Sequence, residues 1–465
     1  MAIRFYNSMH RAKEDLQPIE PGKVGLYTCG PTIYNFAHIG NFRAYMFEDL
    51  LKRYLRYRGY EVHHIMNLTD VEDKLIRTCR ETGESLKTIT TRYAQAFFED
   101  LDTLGIERAE AYPAATDHVP EMVAMIKQLR DKGHTYESEG SIYFRISSFP
   151  EYGKLAHINL DELQAGGSGR VDSDEYERED VRDFALWKAY TEDDGDVFWE
   201  TELGKGRPGW HIECSAMATK YLGNHFDIHC GGVDNIFPHH ENEIAQSCCA
   251  TGHQFVNLWM HCAHLVVEGK KMSKSLGNFY TLRDLIAKGY DPLAIRWVLV
   301  STHYRQPNNF TFEALDAAGH SIQRVRDFRV RLGEVKGPGG SLDEAIAACE
   351  QAFQDALDDD LNIAVGLAAV FDFIRDTNKR LDAGDIGEDA SKAALALLDR
   401  LDAVTGILGA APERAVPEEI QQLVLDRQQA RRDKNFARAD EIRDTLLAQG
   451  WVLEDTADGP RVKPA

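Results

Sequence analysis

The chain lacks any long hydrophobic run, which limits where the protein can work. Its 465 residues contain no stretch of about 18 consecutive apolar residues, the length that a membrane-spanning helix needs. The opening residues, MAIRFYNSMHRAKEDL, also lack the apolar core of a secretory signal peptide. We therefore expect a cytoplasmic protein that has no membrane partner.

A regular cysteine framework is absent as well. The eight cysteines are scattered along the chain, at Cys29, Cys79, Cys214, Cys230, Cys248, Cys249, Cys262 and Cys349. In a chain of this length, such scatter favours reduced thiols or metal ligands over structural disulfides.

Positive charge is also scarce. Lysine and arginine number 53 against 75 aspartates and glutamates, which gives a formal net charge of -22. Such a surface argues against broad binding of nucleic acid, so a polyanionic partner would have to meet local basic patches. One candidate patch near the C-terminus consists of Arg427, Arg431, Arg432, Lys434, Arg438 and Arg443. The alternative is a solvated helix face whose cations pair with neighbouring carboxylates.

The composition that remains, 43% hydrophobic and 28% charged, is ordinary for a folded globular protein. Residues 24–28 and 61–67 predict strands, and residues 38–58 predict a long amphipathic helix between them. Thr69 and Asp70 could cap a second helix. This alternation predicts a parallel α/β sheet, whose ligands bind at the carboxyl ends of its strands.

The rest of the chain divides into an irregular part, two further strands and a helical part. Residues 120–210 carry acidic and glycine-rich runs and predict an inserted subdomain, part of which is a loop. Strands are predicted at residues 226–230 and 256–264. Helices are predicted at residues 291–300, 312–332, 343–356, 363–382, 388–408 and, as a pair, 418–448.

Soft metal ligands are concentrated beside a turn in residues 209–243. Cys214 offers a thiolate, while His239 and Glu243 are four residues apart and so share one face of a helix. These would be three ligands of a tetrahedral site whose fourth comes from elsewhere in the chain or from a substrate. The alternative is a buried apolar cysteine beside the solvated, acidic start of a helix after Pro238.

A second candidate site follows the first strand, in the segment CGPTIYNFAHIGN (29–41). A loop that leads into a helix N-terminus binds anions, because unpaired backbone N–H groups face the ligand. His38 can donate to a phosphate, and Gly40 lets a flat base approach the backbone. The alternative is a turn in which the histidine caps the helix.

A third candidate site is the segment KMSKSLGN (271–278), which we call the lysine loop. Lys271 and Lys274 are three residues apart, so they can place positive charge against a phosphate during its transfer. The alternative is an ordinary surface loop.

Taken together, these segments resemble the cysteinyl-tRNA synthetase family of class I aminoacyl-tRNA synthetases. HIGN and KMSKS are similar to the two class I signatures. The resemblance extends over nearly the whole chain, through CGPT, GWHIECSAM, GNHFDIH, FPHHENEIAQS, DPLAIRW and ALDDDLNIA.

The resemblance implies how the amino acid is bound. It makes Cys29 the missing ligand of one zinc ion per chain, held by Cys29, Cys214, His239 and Glu243. It also places four residues in the pocket for L-cysteine: Gly30, Thr69, Trp210 and His229. By residue type alone, Thr69 could instead be a helix cap, Trp210 a core residue and His229 a satisfied buried histidine.

The resemblance further implies ATP-dependent ligation of L-cysteine to tRNA(Cys) through a cysteinyl-adenylate, with Mg²⁺ bound to the ATP. The implied catalytic residues are His38, Lys271 and Lys274, and the implied ATP contacts are His38, Gly40, Asn41, Asp234, Lys271 and Lys274. Asn41 departs from the family, whose signature ends in a second histidine. An asparagine donates hydrogen bonds but carries no charge.

The implied architecture is a Rossmann-type catalytic domain with an inserted subdomain, then an all-α anticodon-binding bundle and a small C-terminal domain. The catalytic domain is expected at residues 1–310, with the insertion at 120–210 and a stem-contact region at 265–310. The anticodon-binding bundle is expected at residues 311–410 and the C-terminal domain at 418–465. We expect a monomer.

Two other functions stay open. One is a cysteine ligase that acts on an amino sugar, against which the long helical region from residue 312 argues. The other is a catalytically silent RNA-binding protein that holds zinc and nucleotide, against which the intact lysine loop argues.

Overall fold

The computed structural model describes residues 2–158, 183–409, 417–456 and 459–464. The chain forms two compact units, Met1–Gly409 and Ala410–Ala465. The charged run QAGGSGRVDSDEYERED, predicted to be a loop, lies outside the described residues. Among the described helices, none has the length and apolar character that crossing a membrane requires.

The strands are short, and most of them belong to the first unit. They are β1 (Arg4–Asn7), β2 (Ala12–Asp15), β3 (Lys23–Thr28), β4 (Glu61–Met66), β5 (Thr135–Ser138), β6 (Ser141–Phe144), β7 (Phe184–Ala189), β8 (Trp199–Thr201), β9 (Gly204–Pro208), β10 (Phe226–Gly232), β11 (Val256–Cys262), β12 (Leu265–Val267), β13 (Lys270–Lys271), β14 (Asn308–Phe310), β15 (Trp451–Thr456) and β16 (Gly459–Pro464).

The α-helices lie between the strands in the first half of the chain and follow one another in the second. They are α1 (Ile39–Tyr57), α2 (Asp73–Thr82), α3 (Leu86–Thr103), α4 (Val119–Asp131), α5 (Trp210–Leu222), α6 (Glu241–Thr251), α7 (Leu282–Ala287), α8 (Pro292–Val300), α9 (Phe312–Glu334), α10 (Asp343–Asp358), α11 (Ile363–Asp382), α12 (Glu388–Thr405), α13 (Glu418–Arg432) and α14 (Phe436–Ala448).

The central sheet has four parallel strands in the order β11-β10-β3-β4. Its strands are largely buried, and β10 is buried from Phe226 to Gly231. Burial of β10 on both faces places its polar residues, Asp227 and His229, inside the protein, where each makes hydrogen bonds. The four strands predicted from the sequence are confirmed. The carboxyl ends of β3 and β10 lie side by side, which sets the position of the candidate site.

The predicted insertion contains α4 and a five-stranded sheet in the order β5-β6-β7-β9-β8. All of its strand pairs are antiparallel. Gly209 follows the last of its strands in sequence, and its N–H donates to the carbonyl of Leu186 at 2.9 Å. The insertion therefore delivers the chain directly to the start of α5, which carries Cys214.

One local prediction is wrong: Thr69 and Asp70 do not cap the second helix. Helix α2 begins at Asp73, and its cap is Glu72, whose side chain accepts from the Lys74 N–H at 2.9 Å. Asp70 is instead committed to the turn that precedes α4, since its carboxylate accepts from the N–H of Thr116 at 2.9 Å. A contact over 46 residues of sequence cannot be read from local pattern.

Helices α8 to α12 are confirmed, and Asp291 caps α8 by accepting from the Leu293 N–H at 2.8 Å. A buried arginine ties this helical part to α1 and to the residues after α3. Arg296 donates to the Asp49 carboxylate on α1 at 2.6 Å and to three carbonyl oxygens, those of Leu104, Gly105 and Thr405. Both charged side chains are almost completely buried.

The second unit consists of α13, α14 and the antiparallel hairpin β15-β16. Its core contains Ile420, Ile442, Leu446 and Trp451. Arg427 is buried, so it does not belong to an exposed basic cluster. The other cations of the predicted patch are exposed, namely Arg431, Arg432, Lys434, Arg438 and Arg443.

We predict that Arg296→Met destabilises the protein by about 3–5 kcal/mol, because it removes one partner of a buried ion pair and leaves carbonyl groups without a donor. The change is measured as a shift of the urea unfolding curve. The matched control is Arg375→Met, which removes an exposed pair with Asp372 and should leave the curve unchanged. Equal curves for the two variants would contradict the prediction.

Candidate active site

The candidate site lies where β3 and β10 end. Cys29 is the first residue after β3, and its N–H donates to the carbonyl of Cys230 on β10 at 3.3 Å. Helix α5 contributes Cys214 to the same place, and α6 contributes Glu243. All eight cysteines, each of which lies in the described part of the chain, are free thiols.

The structure brings together the four metal ligands that the sequence predicted. One ligand atom each from Cys29, Cys214, His239 and Glu243 lies within 4.8 Å of the other three. His239 Nε2 is 3.0 Å from Glu243 Oε1, as expected for residues four apart on one helical face. Cys29 is half-buried and the other three are buried.

A second group with the same spacing consists of Cys29, His229, His240 and Glu243. The resemblance assigns the metal to the first group, and two further histidines contact its members. His229 Nε2 contacts the second carboxylate oxygen of Glu243 at 3.0 Å, and His211 shares a hydrogen bond of 2.8 Å with His239 Nδ1. Partners of this kind orient the ligands of a metal, which suits His229 and His211 as supporting residues.

The pKa values of these residues depend on burial and on their charged neighbours within the group. Burial by itself would raise the pKa of Glu243, but His229 and His239 lower it to about 2. Burial would likewise lower the pKa of His239, but Glu243 and Cys214 raise it to about 10. Hydrogen bonding to Cys29, together with burial, raises the pKa of the Cys214 thiol.

This donor set fits zinc. Thiolate sulfur, imidazole nitrogen and a carboxylate oxygen are its usual ligands in proteins. A divalent cation would stabilise the charged forms of these groups, because a buried charge without a partner has a high desolvation free energy. The role of the four residues as zinc ligands stays a prediction.

The sequence analysis missed three histidines next to this cluster. His211 lies beside His239, as described above. His240 Nε2 is 3.3 Å from Cys29 Sγ, and its Nδ1 shares a hydrogen bond of 2.8 Å with His261 Nε2. The pairing of adjacent histidines in FPHHENE was the available signal for His240, whereas His261 carried none.

The residues predicted to line the amino-acid pocket surround the same cluster. The Trp210 ring lies 4.4 Å from that of His239 and is 42% exposed, so Trp210 is not a core residue. Thr69 is buried, and its hydroxyl accepts from Asn67 Nδ2 at 3.1 Å. His229 is fully buried and satisfied by Glu243. Their contacts with substrate stay predictions.

Gly30 is required by close packing of the backbone. Its N–H donates to Asn67 Oδ1 at 2.9 Å, and a Cβ at this position would lie 1.7 Å from the carbonyl oxygen of Asn67. No side chain can be accommodated there unless the loop moves. The glycine thereby sets the position of Cys29, its neighbour.

Glu213 is a further buried acid that sequence reasoning did not find. It precedes Cys214 on α5, and burial raises the pKa of its carboxyl well above the usual range. The charge of Asp70 acts in the same direction, whereas the nearby Thr69 hydroxyl opposes it. Glu213 therefore borders the predicted amino-acid pocket on the Thr69 side.

On the nucleotide side, His38 does cap the helix, as the alternative interpretation held. His38 Nδ1 accepts from the Asn41 N–H at 3.2 Å, and Asn41 Oδ1 accepts from the His38 N–H at 3.0 Å. This reciprocal capping box gives Asn41 a structural use for its amide. The cap occupies only one ring nitrogen of His38, so it is compatible with a phosphate contact through the other.

The lysine loop meets this helix start. Ile39 donates its N–H to the carbonyl of Tyr280 at 3.0 Å, and a Cβ on Gly40 would lie 3.2 Å from the Met272 methyl group. Lys271 and Lys274 are both exposed. The two segments that resemble class I signatures thus lie side by side, although they are more than 200 residues apart.

Asp234 lies in the loop after β10 and is exposed. A Cβ on Gly232 would be 2.3 Å from Asp234 Oδ1, so the glycine is what allows the carboxylate its position. Burial lowers the pKa of His38, while the Asp234 charge opposes that change. The nucleotide contact of Asp234 stays a prediction.

Three family models match consecutive parts of the chain. The tRNA synthetases class I (C) catalytic domain matches residues 15–320, which is more than half of the chain. A DALR domain matches residues 352–411. The cysteinyl-tRNA ligase anticodon binding domain matches residues 413–461.

Curated relatives match over essentially their full length. A cysteine–tRNA ligase of Brachyspira hyodysenteriae is 50% identical, with 99% of each chain covered. A cysteine–tRNA ligase of Protochlamydia amoebophila is 49% identical, with 99% of this chain and 98% of the relative covered.

Solved structures show the same fold at low identity. Mycobacterium tuberculosis methionyl-tRNA synthetase in complex with methionyl-adenylate aligns with a TM-score of 0.62 and 15% identity, covering 84% of this chain and 95% of that one. The predicted fold class, a Rossmann-type catalytic domain with an insertion followed by helical and small C-terminal parts, is confirmed. The predicted boundaries between these domains stay predictions.

We predict that Gly30→Ala lowers the urea midpoint of unfolding and disturbs the cluster around Cys29, because the added methyl group displaces the Asn67 backbone. The matched control is Gly319→Ala on α9, where a Cβ meets nothing within 4 Å. That variant should gain about 1 kcal/mol through helix propensity. A Gly30→Ala protein as stable as the wild type would contradict the close packing described here.

Proposed function

The chain belongs to the cysteine–tRNA ligase family of class I aminoacyl-tRNA synthetases, and we propose how its site carries out the family's reaction, the ATP-dependent ligation of L-cysteine to tRNA(Cys). One observation supports the proposal: the cluster of Cys29, Cys214, His239 and Glu243 lies at the carboxyl ends of β3 and β10, and the loop after β3 leads from it to the place where the two segments that resemble class I signatures meet. A substrate cysteine whose thiol binds at the cluster would present its carboxylate to a nucleotide that is held by the two segments.

The reaction has two steps. The cysteine carboxylate attacks the α-phosphate of Mg²⁺-ATP, so a new C–O–P linkage forms and pyrophosphate leaves. The terminal ribose hydroxyl of the tRNA then attacks the carbonyl carbon of the cysteinyl-adenylate and AMP leaves. Both steps depend mainly on positioning and on the stabilisation of charge at phosphate.

His38, Lys271 and Lys274 supply that stabilisation. The capping box orients the imidazole of His38 at the start of α1, where the helix dipole also favours an anion. Ser273 and Asn278 shape the lysine loop, since the Ser273 N–H donates to Asn278 Oδ1 at 2.9 Å. The two lysines extend from this loop to the α-phosphate and the departing pyrophosphate, while Gly40, Asn41 and Asp234 contact the rest of the ATP.

Zinc is the proposed cofactor of the amino-acid pocket, held by Cys29, Cys214, His239 and Glu243. When bound, it would supply a soft Lewis acid that prefers the thiolate of cysteine to the un-ionised hydroxyl of serine. Such help is needed, because apolar contacts discriminate small groups by only about 1–3 kcal/mol. His229 holds the Glu243 carboxylate, while Trp210, Thr69 and Gly30 enclose the substrate.

The remaining parts of the proposal concern tRNA and the cell. The helical residues 311–410 and the unit at 418–465 would bind the anticodon arm, and the protein would act as a cytoplasmic monomer. The match of residues 413–461 to an anticodon-binding domain speaks against an amino-sugar ligase, which has no anticodon to read. The juxtaposed signature segments speak against a silent binding protein.

Zinc and cysteine activation are tested together. We predict about one zinc per purified chain, lost in Cys29→Ser and Glu243→Gln because each removes one of the four ligands. The readouts are elemental analysis and cysteine-dependent ATP–pyrophosphate exchange with serine as competitor. The control, Cys79→Ser on α2, should keep both metal and activity.

The outcomes separate the parts of the proposal. Zinc-free wild-type protein that still activates cysteine and rejects serine would contradict the role of the metal. Zinc-loaded protein without exchange would contradict the enzymatic function. Exchange without charging of tRNA would favour the amino-sugar ligase.

Binding of tRNA by the C-terminal unit is tested by charge reversal. We predict that Arg431→Glu with Arg432→Glu weakens tRNA binding and flattens its salt dependence, because two phosphate-facing cations are lost. The measurement is a dissociation constant across a salt series. The control Arg130→Glu, at an exposed position of α4, should keep the wild-type slope. A double variant that also keeps it would exclude these arginines from the interface.

A further inference from the structure

A separate cavity of ≈ 280 Å³ opens beside the candidate site. We call it the Arg11 cavity, and its polar lining consists of Tyr6, Ser8, Arg11, His157, His261 and Arg305. None of these residues belongs to the metal cluster or to the segments assigned to ATP. The cavity is much larger than the share of about 30 Å³ that one water molecule takes in the liquid.

The charge of the lining has one sign. Its charged side chains are those of Arg11 and Arg305, and no carboxylate contributes to the described lining. In a chain with 75 acidic and 53 basic residues, two arginines that line one cavity favour an anionic ligand there.

Arg305 is fixed in place before any ligand arrives. Its guanidinium donates to the buried carboxylate of Asp360 at 2.6 and 2.7 Å, and it lies 4.3 Å from the centre of the Tyr6 ring. Asp360 also accepts from the Tyr304 hydroxyl at 2.6 Å. This network orients Arg305 but offsets part of its charge.

Arg11 carries a positive charge that no described carboxylate neutralises in an ion pair. It lies at the turn between β1 and β2 and is exposed. Within the described part of the chain it takes part in no ion pair, in contrast to Arg305. A guanidinium of this kind binds phosphate through two parallel hydrogen bonds.

The cavity is linked to the thiol site by a short chain of contacts. Ser8 Oγ shares a hydrogen bond of 2.7 Å with His261 Nδ1, and His261 Nε2 shares one of 2.8 Å with His240. His240 Nε2 lies 3.3 Å from Cys29 Sγ. Val233 and Ile236, from the loop after β10, form another wall of the cavity. Two buried histidines, His240 and His261, therefore lie between the cavity and Cys29 and connect the two by hydrogen bonds.

We propose that the Arg11 cavity binds a backbone phosphate near the 3′ end of the tRNA, with Arg11 and Arg305 as cationic contacts. This inference rests on the proposed function, which requires the terminal ribose to reach the adenylate beside Cys29. The phosphates of the last nucleotides must then pass through adjacent space. Contacts to phosphate fix the register of a nucleic acid without reading its sequence. The phosphates of ATP are already assigned to His38 and the lysine loop, which leaves this cavity to the second substrate.

The test uses the full-length, zinc-loaded enzyme and the variant Arg11→Gln, with Arg130→Gln as the matched control. Arg130 is an exposed arginine of α4 that does not line the cavity. We expect KM for tRNA to rise about tenfold in Arg11→Gln, as for the loss of one charge-assisted contact. The log–log dependence of tRNA binding on salt should become shallower by roughly 0.7–0.9, the contribution of one phosphate.

A second readout identifies the phosphate itself. Neutral methylphosphonate linkages are placed one at a time in the last three positions of the tRNA. One of them should weaken binding to the wild type and to Arg130→Gln, yet have no further effect on Arg11→Gln. Additive effects at every position would overturn the assignment to the tRNA backbone.

The remaining outcomes are equally decisive. An unchanged KM and salt slope in Arg11→Gln would overturn the proposal. So would inorganic phosphate that binds the wild type at millimolar concentration without competing with tRNA, because the cavity would then serve a free anion. Cysteine-dependent exchange separates this inference from the function on which it rests. Wild-type protein that shows no exchange refutes the proposed function. If Arg11→Gln instead loses exchange to the same extent as tRNA charging, Arg11 supports the fold and not tRNA binding, and the proposal of this cavity is overturned.

Discussion

The structure depends on a buried cluster of charged and soft side chains at one end of a parallel sheet. Cys29, Cys214, His239 and Glu243 come from different elements, and at least three of them are removed from water. Buried groups of this kind are tolerated only when they are paired or bind a metal. The cluster therefore constrains everything around it: the β3–α1 loop, the start of α5 and the turn into α6 must all converge on one point.

The same convergence sets the positions of the proposed binding regions relative to one another. Because Cys29 and His38 belong to the same loop and helix start, the end of the site proposed to bind the thiol and the end proposed to bind phosphate are held at a set separation. The capping box between His38 and Asn41 stiffens this connection. The residues just after the lysine loop join it, since the carbonyl of Tyr280 accepts from the Ile39 N–H. Substrate thiol, carboxylate and ATP can then be aligned by elements that need little rearrangement.

Much of this could be predicted from the sequence, for identifiable reasons. The strands and helices follow apolar periodicity, as in residues 226–230 and 312–332, and the pair His239 and Glu243 follows from helical geometry. Residue types also indicated phosphate binding at His38 and charge at Lys274. Cys29 entered only through the resemblance of its segment to a family, since no spacing rule connects a residue to another 185 positions away.

The contacts that could not be predicted are those made across the sheet. Glu72 replaces Thr69 and Asp70 as the cap of α2 because Asp70 is needed by Thr116, and nothing in the local pattern reveals that competition. His211, His240 and His261 acquire their positions from neighbouring strands and helices. The Arg11 cavity likewise combines a hairpin turn, a segment of the insertion and the residues after α8.

The sequence by itself determined the elements, the fold class and the types of ligand, because periodicity, capping residues and soft donor atoms are local properties. Only the tertiary structure decided which donor atoms meet, which histidines contact the Glu243 carboxylate, and which side chains line the Arg11 cavity. The physical reason is that parallel strands adjacent in the sheet, such as β3 and β10, are distant in the chain, so their shared edge exists only after folding.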